Sequence, residues 1–200
     1  NTEIEQVFGY VGNFETDIKP NGKEVKLNFG NVIVATGLKP FDAKKVLNYG
    51  YGKLPNVITS IEFEQVLKSG IIITRDGRVP KDIAIIHCVG SRNEDYNTYC
   101  SRTCCMAALK FMNQIKSALP ETNIYDIYSD MRAFGKGCEE LYSTTSKKNV
   151  MFLTFDHKNN LPQIRQASYK DSCNLLIEFK EKFSGESIEV PADIVILMVG

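Results

Sequence analysis

The residues best suited to chemistry in this 200-residue chain are four thiols, Cys88, Cys100, Cys104 and Cys105, in a Cys-x11-Cys-x3-Cys-Cys spacing. Thiolates are soft ligands that suit iron–sulfur clusters and zinc. Cys88 closes an apolar stretch that reads as a strand, and Cys104 and Cys105 open a stretch with helical periodicity. If the first turn of that helix reaches back to Cys100, Cys100 and Cys104 share a face at i and i+4. Four thiolates meeting beside the amide groups of a helix N-terminus would stabilise an anionic centre, and a 4Fe-4S cluster is the preferred occupant. Zinc on four thiolates competes, although the usual Cys-x2-Cys knuckles are absent. The plain alternative makes Cys88 and Cys105 small core residues and the other two incidental. A dithiol reaction at Cys104 and Cys105 is disfavoured because adjacent cysteines bond only with strain.

Other candidates are weaker. Ala35, Thr36 and Gly37 follow an apolar run and could bring backbone close to a cofactor, or form an ordinary turn. Lys136 stands between Gly135 and Gly137 and could approach a phosphate or a flavin ring, or sit in a flexible turn. At Cys88-Val89-Gly90-Ser91-Arg92, where a nicotinamide-binding protein would carry several glycines, there is one, so NAD(P)H is not expected there in the usual manner. Cys138 and Cys173 read as structural thiols. His87 and His157 read as packing residues, with His87 near enough to Cys88 to tune its field.

The elements that must position the thiols follow from hydrophobic period. Alternating stretches at 4–14 and 24–29 predict a β-hairpin, and 31–37 predicts a buried parallel strand. Residues 41–80 read as a connector with one helix near 60–67. From residue 81 the pattern is strand 83–88, helix 103–119, strand 123–128, helix 138–146 and strand 150–155. A hairpin-like pair at 163–168 and 174–183 and a closing strand at 192–199 complete it. The class is α/β, with a nucleotide-binding, Rossmann-like domain of thioredoxin-reductase type carrying a β-meander, plus a partial flavin-domain segment. The division expected is 1–80 for the partial FAD-domain segment and 81–200 for the NAD(P)-binding-like domain with the cysteines. The chain begins at Asn1, ends on an apolar strand, and has no Gly-x-Gly-x-x-Gly, which predicts a middle segment of a longer protein, inactive by itself.

Composition narrows the function classes. Twenty-four basic and twenty-four acidic residues cancel, so no global field draws in nucleic acid or an anionic membrane. No apolar run approaches the ~20 residues of a transmembrane segment. With no export signal and with clustered cysteines, a reduced cytoplasmic setting is expected.

Several segments together resemble the A subunit of heterodisulfide reductase and its relatives, including the A subunit of the quinone-interacting membrane-bound oxidoreductase complex. They are Gly9-Tyr10-Val11-Gly12-Asn13-Phe14, Val34-Ala35-Thr36-Gly37 and Tyr49-Gly50-Tyr51-Gly52, then His87-Cys88-Val89-Gly90-Ser91-Arg92, Tyr99-Cys100-Ser101-Arg102-Thr103-Cys104-Cys105-Met106 and Asp130-Met131-Arg132-Ala133-Phe134-Gly135-Lys136-Gly137. The resemblance implies an oxidoreductase component that holds FAD and iron–sulfur clusters and passes electrons among partner subunits. It places the family's non-standard cluster motif on Cys88, Cys100, Cys104 and Cys105, and its second flavin-contacting turn on Ala35, Thr36 and Gly37. It implies other subunits of such a complex as partners and leaves a homodimer open. The alternative function is a structural zinc or metal-free scaffold that docks partner subunits. Some family members insert a ferredoxin module after the Gly-Asn-Phe segment, where this chain has a short β segment.

Overall fold

A computed structural model describes residues 2–168 and 173–200 of the chain, which divide into two compact units, 1–38 and 39–200. In the first, β1 (Ile4–Tyr10), β2 (Asn13–Ile18) and β3 (Val25–Phe29) form an antiparallel meander in sequence order. Two strands were expected over this stretch. The first alternating run is divided by a turn at Val11 and Gly12, where the Gly12 amide donates to the Gly30 carbonyl (2.8 Å). Phe14 and Phe29 stack across the sheet at 5.8 Å. The strand expected at 31–37 is absent: this run has no regular structure, and Ile33 is 90% exposed. A parallel strand needs sheet neighbours and a covering layer, and none of the described residues supplies them to this run.

The second unit is built on a five-stranded parallel sheet in the order β4, β11, β5, β6, β7: β4 (Val57–Thr59), β5 (Asp82–Val89), β6 (Asn123–Tyr128), β7 (Val150–Thr154) and β11 (Ile194–Val199). The strand period of two separates its faces. Ile83, Ile85, Ile194, Ile196 and Met198 pack under the helices α1 (Ser60–Ser69) and α2 (Cys104–Ala118), with Leu141 of α3 (Cys138–Ser146) joining at the margin. Ala84, Ile86, Val195, Leu197 and Val199 face the antiparallel meander of β8 (Gln163–Gln166), β9 (Leu175–Lys180) and β10 (Ser187–Ala192). Both faces of β5 and β11 are thus covered, which is why they read as continuous apolar runs. The connection between β8 and β9 lies partly outside the described residues.

The helix ends follow local chemistry. The cap of α1 is Thr59. Its hydroxyl accepts from the Glu62 amide (3.3 Å), and the Glu62 carboxylate accepts from the Thr59 amide (2.7 Å) in a capping box. At α2 no side chain caps the N-terminus, and Pro120 follows its end. The first-turn amides of α2, beginning at Cys104 and Cys105, therefore lack the usual capping acceptor.

Candidate metal centre

The carboxyl end of β5 leaves extended geometry abruptly. Cys88 (φ 57°), Gly90 (φ 73°) and Arg92 (φ 58°) all adopt the left-handed region, which costs a non-glycine residue about 1–2 kcal/mol. The following loop is laced back to the strand end. The Arg92 amide donates to the Tyr99 carbonyl (2.9 Å) and the Asn97 amide to the Gly90 carbonyl (3.3 Å). This path, with a further left-handed residue at Arg102, carries Cys100 beside the start of α2. The helix begins at Cys104, so Cys100 lies in the loop and the expected i, i+4 helical relation does not hold.

The structure brings all four thiols to one place. Cys88, Cys100, Cys104 and Cys105 line a single small cleft together with Ser101, Arg92, Asp130 and Arg132. No disulfide joins Cys88, Cys100, Cys104 or Cys105. Each of the four sulfurs has its own polar partner. The Arg92 guanidinium lies 4.0 Å from the Cys88 sulfur. The Arg102 amide donates to Cys100 (3.3 Å), the Arg132 amide to Cys105 (3.4 Å), and the Ser101 hydroxyl stands 3.0 Å from the Cys104 sulfur. Among the described residues, no three His, Cys, Asp or Glu side chains converge as a single metal ion would require.

Electrostatics divide the thiols. Burial pushes Cys88 up to about 12 against the opposing pull of Arg92, and burial also raises Cys104. For Cys105 burial again acts upward, but His87 and the Arg132 amide outweigh it and leave the thiol below its ordinary value. His87 is itself buried against Asp126, with Nε2 2.7 Å from the carboxylate. Burial alone would lower the imidazole, but the Asp126 carboxylate prevails and raises it to about 10.

Lys136 is exposed and does not line the cleft, and neither do Cys138 and Cys173. Ala35, Thr36 and Gly37 are exposed within the first unit. Sequence reasoning did not single out Arg92, Ser101, Asp126, Asp130 or Arg132 as site residues. A signal was present for Asp130 and Arg132, since they follow β6, the strand beside β5, and loops at the carboxyl ends of neighbouring parallel strands share one edge.

No protein-family model matches the sequence. Curated relatives do. The chain is 38% identical over 195 residues to an iron-sulfur A subunit of the CoB–CoM heterodisulfide reductase of Methanopyrus kandleri, covering 92% of this chain and 28% of that protein. It is also 38% identical over 192 residues to the A subunit of the H(2)/formate:CoB-CoM heterodisulfide,ferredoxin reductase of Methanococcus maripaludis, with the same coverages. The chain is a relative of the heterodisulfide reductase A subunits. It spans a little over a quarter of their length. Among solved structures, the ornithine hydroxylase of Pseudomonas aeruginosa matches with a TM-score of 0.52 at 11% identity, over 100% of this chain and 54% of that one. The FAD-bound cadaverine monooxygenase of Erwinia amylovora matches with a TM-score of 0.50 at 8% identity, over 100% and 52%. At such identities these likenesses speak for fold alone, and they agree with a Rossmann-like α/β class. Among the described residues no helix is long and apolar enough to cross a membrane.

Proposed function

We propose that this heterodisulfide reductase relative is an electron-transfer module in which Cys88, Cys100, Cys104 and Cys105 hold a 4Fe-4S cluster. In this reading residues 81–200 carry the cluster, and residues 1–80, with the turn at Ala35, Thr36 and Gly37, belong to the side that meets FAD. When bound, the cluster supplies reversible one-electron storage, which lets electrons from a two-electron flavin be passed on singly to other subunits of the complex. The chain's own part is to hold four sulfurs, surround them with donors and limit water.

One observation carries the proposal: four thiols from a strand end, a loop and a helix start line one cleft, each with its own polar partner. Such donors and the uncapped start of α2 suit an anionic inorganic core.

The test is anaerobic purification of the protein in its native assembly, followed by iron, sulfide and zinc analysis and EPR of the reduced sample. About four irons and four sulfides attributable to this site are expected, lost in Cys104→Ser. Stoichiometric zinc, or a Cys104→Ser protein with the parent's iron content and spectrum, would refute the reading.

A further inference from the structure

Cys100 and Cys104 meet neutral donors from the loops, and Cys105 meets the Arg132 amide and His87, whereas Cys88 meets an arginine side chain. Arg92 lies 4.0 Å from that sulfur through Nη1, and its guanidinium is also ion-paired with Asp130. Asp130 in turn accepts from Arg132 Nε at 3.2 Å. The backbone of Arg92 is fixed as well. Its amide donates to the Tyr99 carbonyl, and its carbonyl accepts from His157 Nε2 at 2.9 Å. The Arg92 side chain is 17% exposed, so salt and water screen its charge only in part. A guanidinium also keeps its proton throughout the accessible pH range.

We propose that Arg92 is a positioning residue that sets the cluster's charge preference through Cys88, and that Asp130 restrains it, so that the two push the reduction potential in opposite directions. This rests on the cluster reading above. Reduction delivers one electron to the cluster and moves no proton, leaving the site one unit more negative. A fixed cation against a ligand sulfur favours that more negative form, and a carboxylate paired with that cation, itself lining the cleft, offsets part of its field. His87, which bears on Cys105, lies 2.7 Å from the Asp126 carboxylate, which offsets part of its pull.

The experiment is a dithionite titration of the anaerobically purified assembly, followed by EPR, with iron and sulfide measured beforehand for each protein. Arg92→Gln is expected to lower the midpoint, changing the oxidised-to-reduced ratio at the parent midpoint by about tenfold, which is about 59 mV for a one-electron couple. Arg92→Lys should restore most of the shift, because it returns the charge without the fork. Asp130→Asn should raise the midpoint. A loaded Arg92→Gln protein with the parent midpoint overturns the proposal, as does a shift of the same sign in Arg92→Gln and Asp130→Asn, the pattern of a merely loosened loop. Where Arg92→Gln takes up no cluster, the sign of the Asp130→Asn shift decides. A parent without iron at this site overturns the cluster reading itself, and is distinguished from failure of the present inference by the iron analysis.

Discussion

The two ends of the parallel sheet are built in contrasting ways. At the amino end, polar contacts join backbone and side chains. Asp193 Oδ2 accepts from the Lys81 amide (2.8 Å) and the Asp82 amide (3.3 Å), and the Thr122 hydroxyl donates to the Pro80 carbonyl (2.8 Å). The Asn123 side-chain amide and the Tyr125 hydroxyl both donate to Asp82 Oδ1, at 2.9 and 3.3 Å. Its left-handed non-glycine residue is Asn149, a type that tolerates that region. At the carboxyl end the left-handed residues are Cys88 and Arg92, with Arg102 in the loop beyond, and the groups gathered there are thiols and charges. Strain and reactive groups concentrate where the sheet meets its candidate site, and the opposite end holds the strands in register.

That contrast breaks most visibly at Gly90. A Cβ there would stand 2.2 Å from ring carbons of Phe41, and the residue's φ of 73° already disfavours any side chain. Gly90→Ala is expected to cost about 3 kcal/mol, the sum of overpacking and a left-handed alanine. Because Gly90 accepts from Asn97 in the cysteine loop, iron content should fall together with the urea midpoint. A Gly90→Ala protein with the parent's midpoint would show that the tight turn is not needed.

Asp193→Ala sharpens the comparison from the other end. Removing the carboxylate strands the two amides that bond it, at a cost of about 2 kcal/mol. The loss should appear in denaturant unfolding while the iron content of the folded protein stays at the parent value. Loss of iron at this distance would mean that the two ends are mechanically one.

The same contrast explains what the sequence disclosed. The elements β5, α2, β6, α3, β7 and β11 are legible because an apolar run covered on both faces, or a stripe at spacings of three and four, leaves a strong period. The short strand β4 is three residues long and β10 alternates around Pro191, so neither carries a run long enough to register. The apolar runs at 32–35 and 194–199 look alike as text, yet the first is exposed and the second wholly buried, since burial depends on neighbours that no local period encodes. At the candidate site, the thiols could be assigned to a strand end and a helix start. The course of residues 90–103 could not, because it depends on left-handed turns at Arg92 and Arg102, residue types that give no hint of them.

The smallest effect concerns acid, and it too should be confined to one end. His157 is buried at the carboxyl end, with Nε2 donating to the Arg92 carbonyl and Nδ1 accepting from the Ser129 hydroxyl (2.8 Å). Both nitrogens are satisfied by a neutral ring, and a proton added at Nδ1 displaces the Ser129 bond. Burial, and then the nearby Arg92 charge, hold the imidazole below its ordinary value. A histidine depressed in this way contributes stability that is complete above about pH 6.5 and is lost as pH falls below it. One proton limits the slope to about 1.4 kcal/mol per pH unit. His87 is raised, so its contribution is complete below about pH 6.5 and fades as pH climbs towards 10, leaving the acid arm to His157. Urea unfolding of the parent should therefore weaken between pH 6.5 and 5.5, and His157→Asn should flatten that arm. Hydrogen exchange should quicken first at the Arg92 and Asn97 amides, with Lys81 and Asp82 still protected. Equal acid slopes in parent and variant, or simultaneous opening at both ends, would remove His157 as the cause and with it the independence of the two ends.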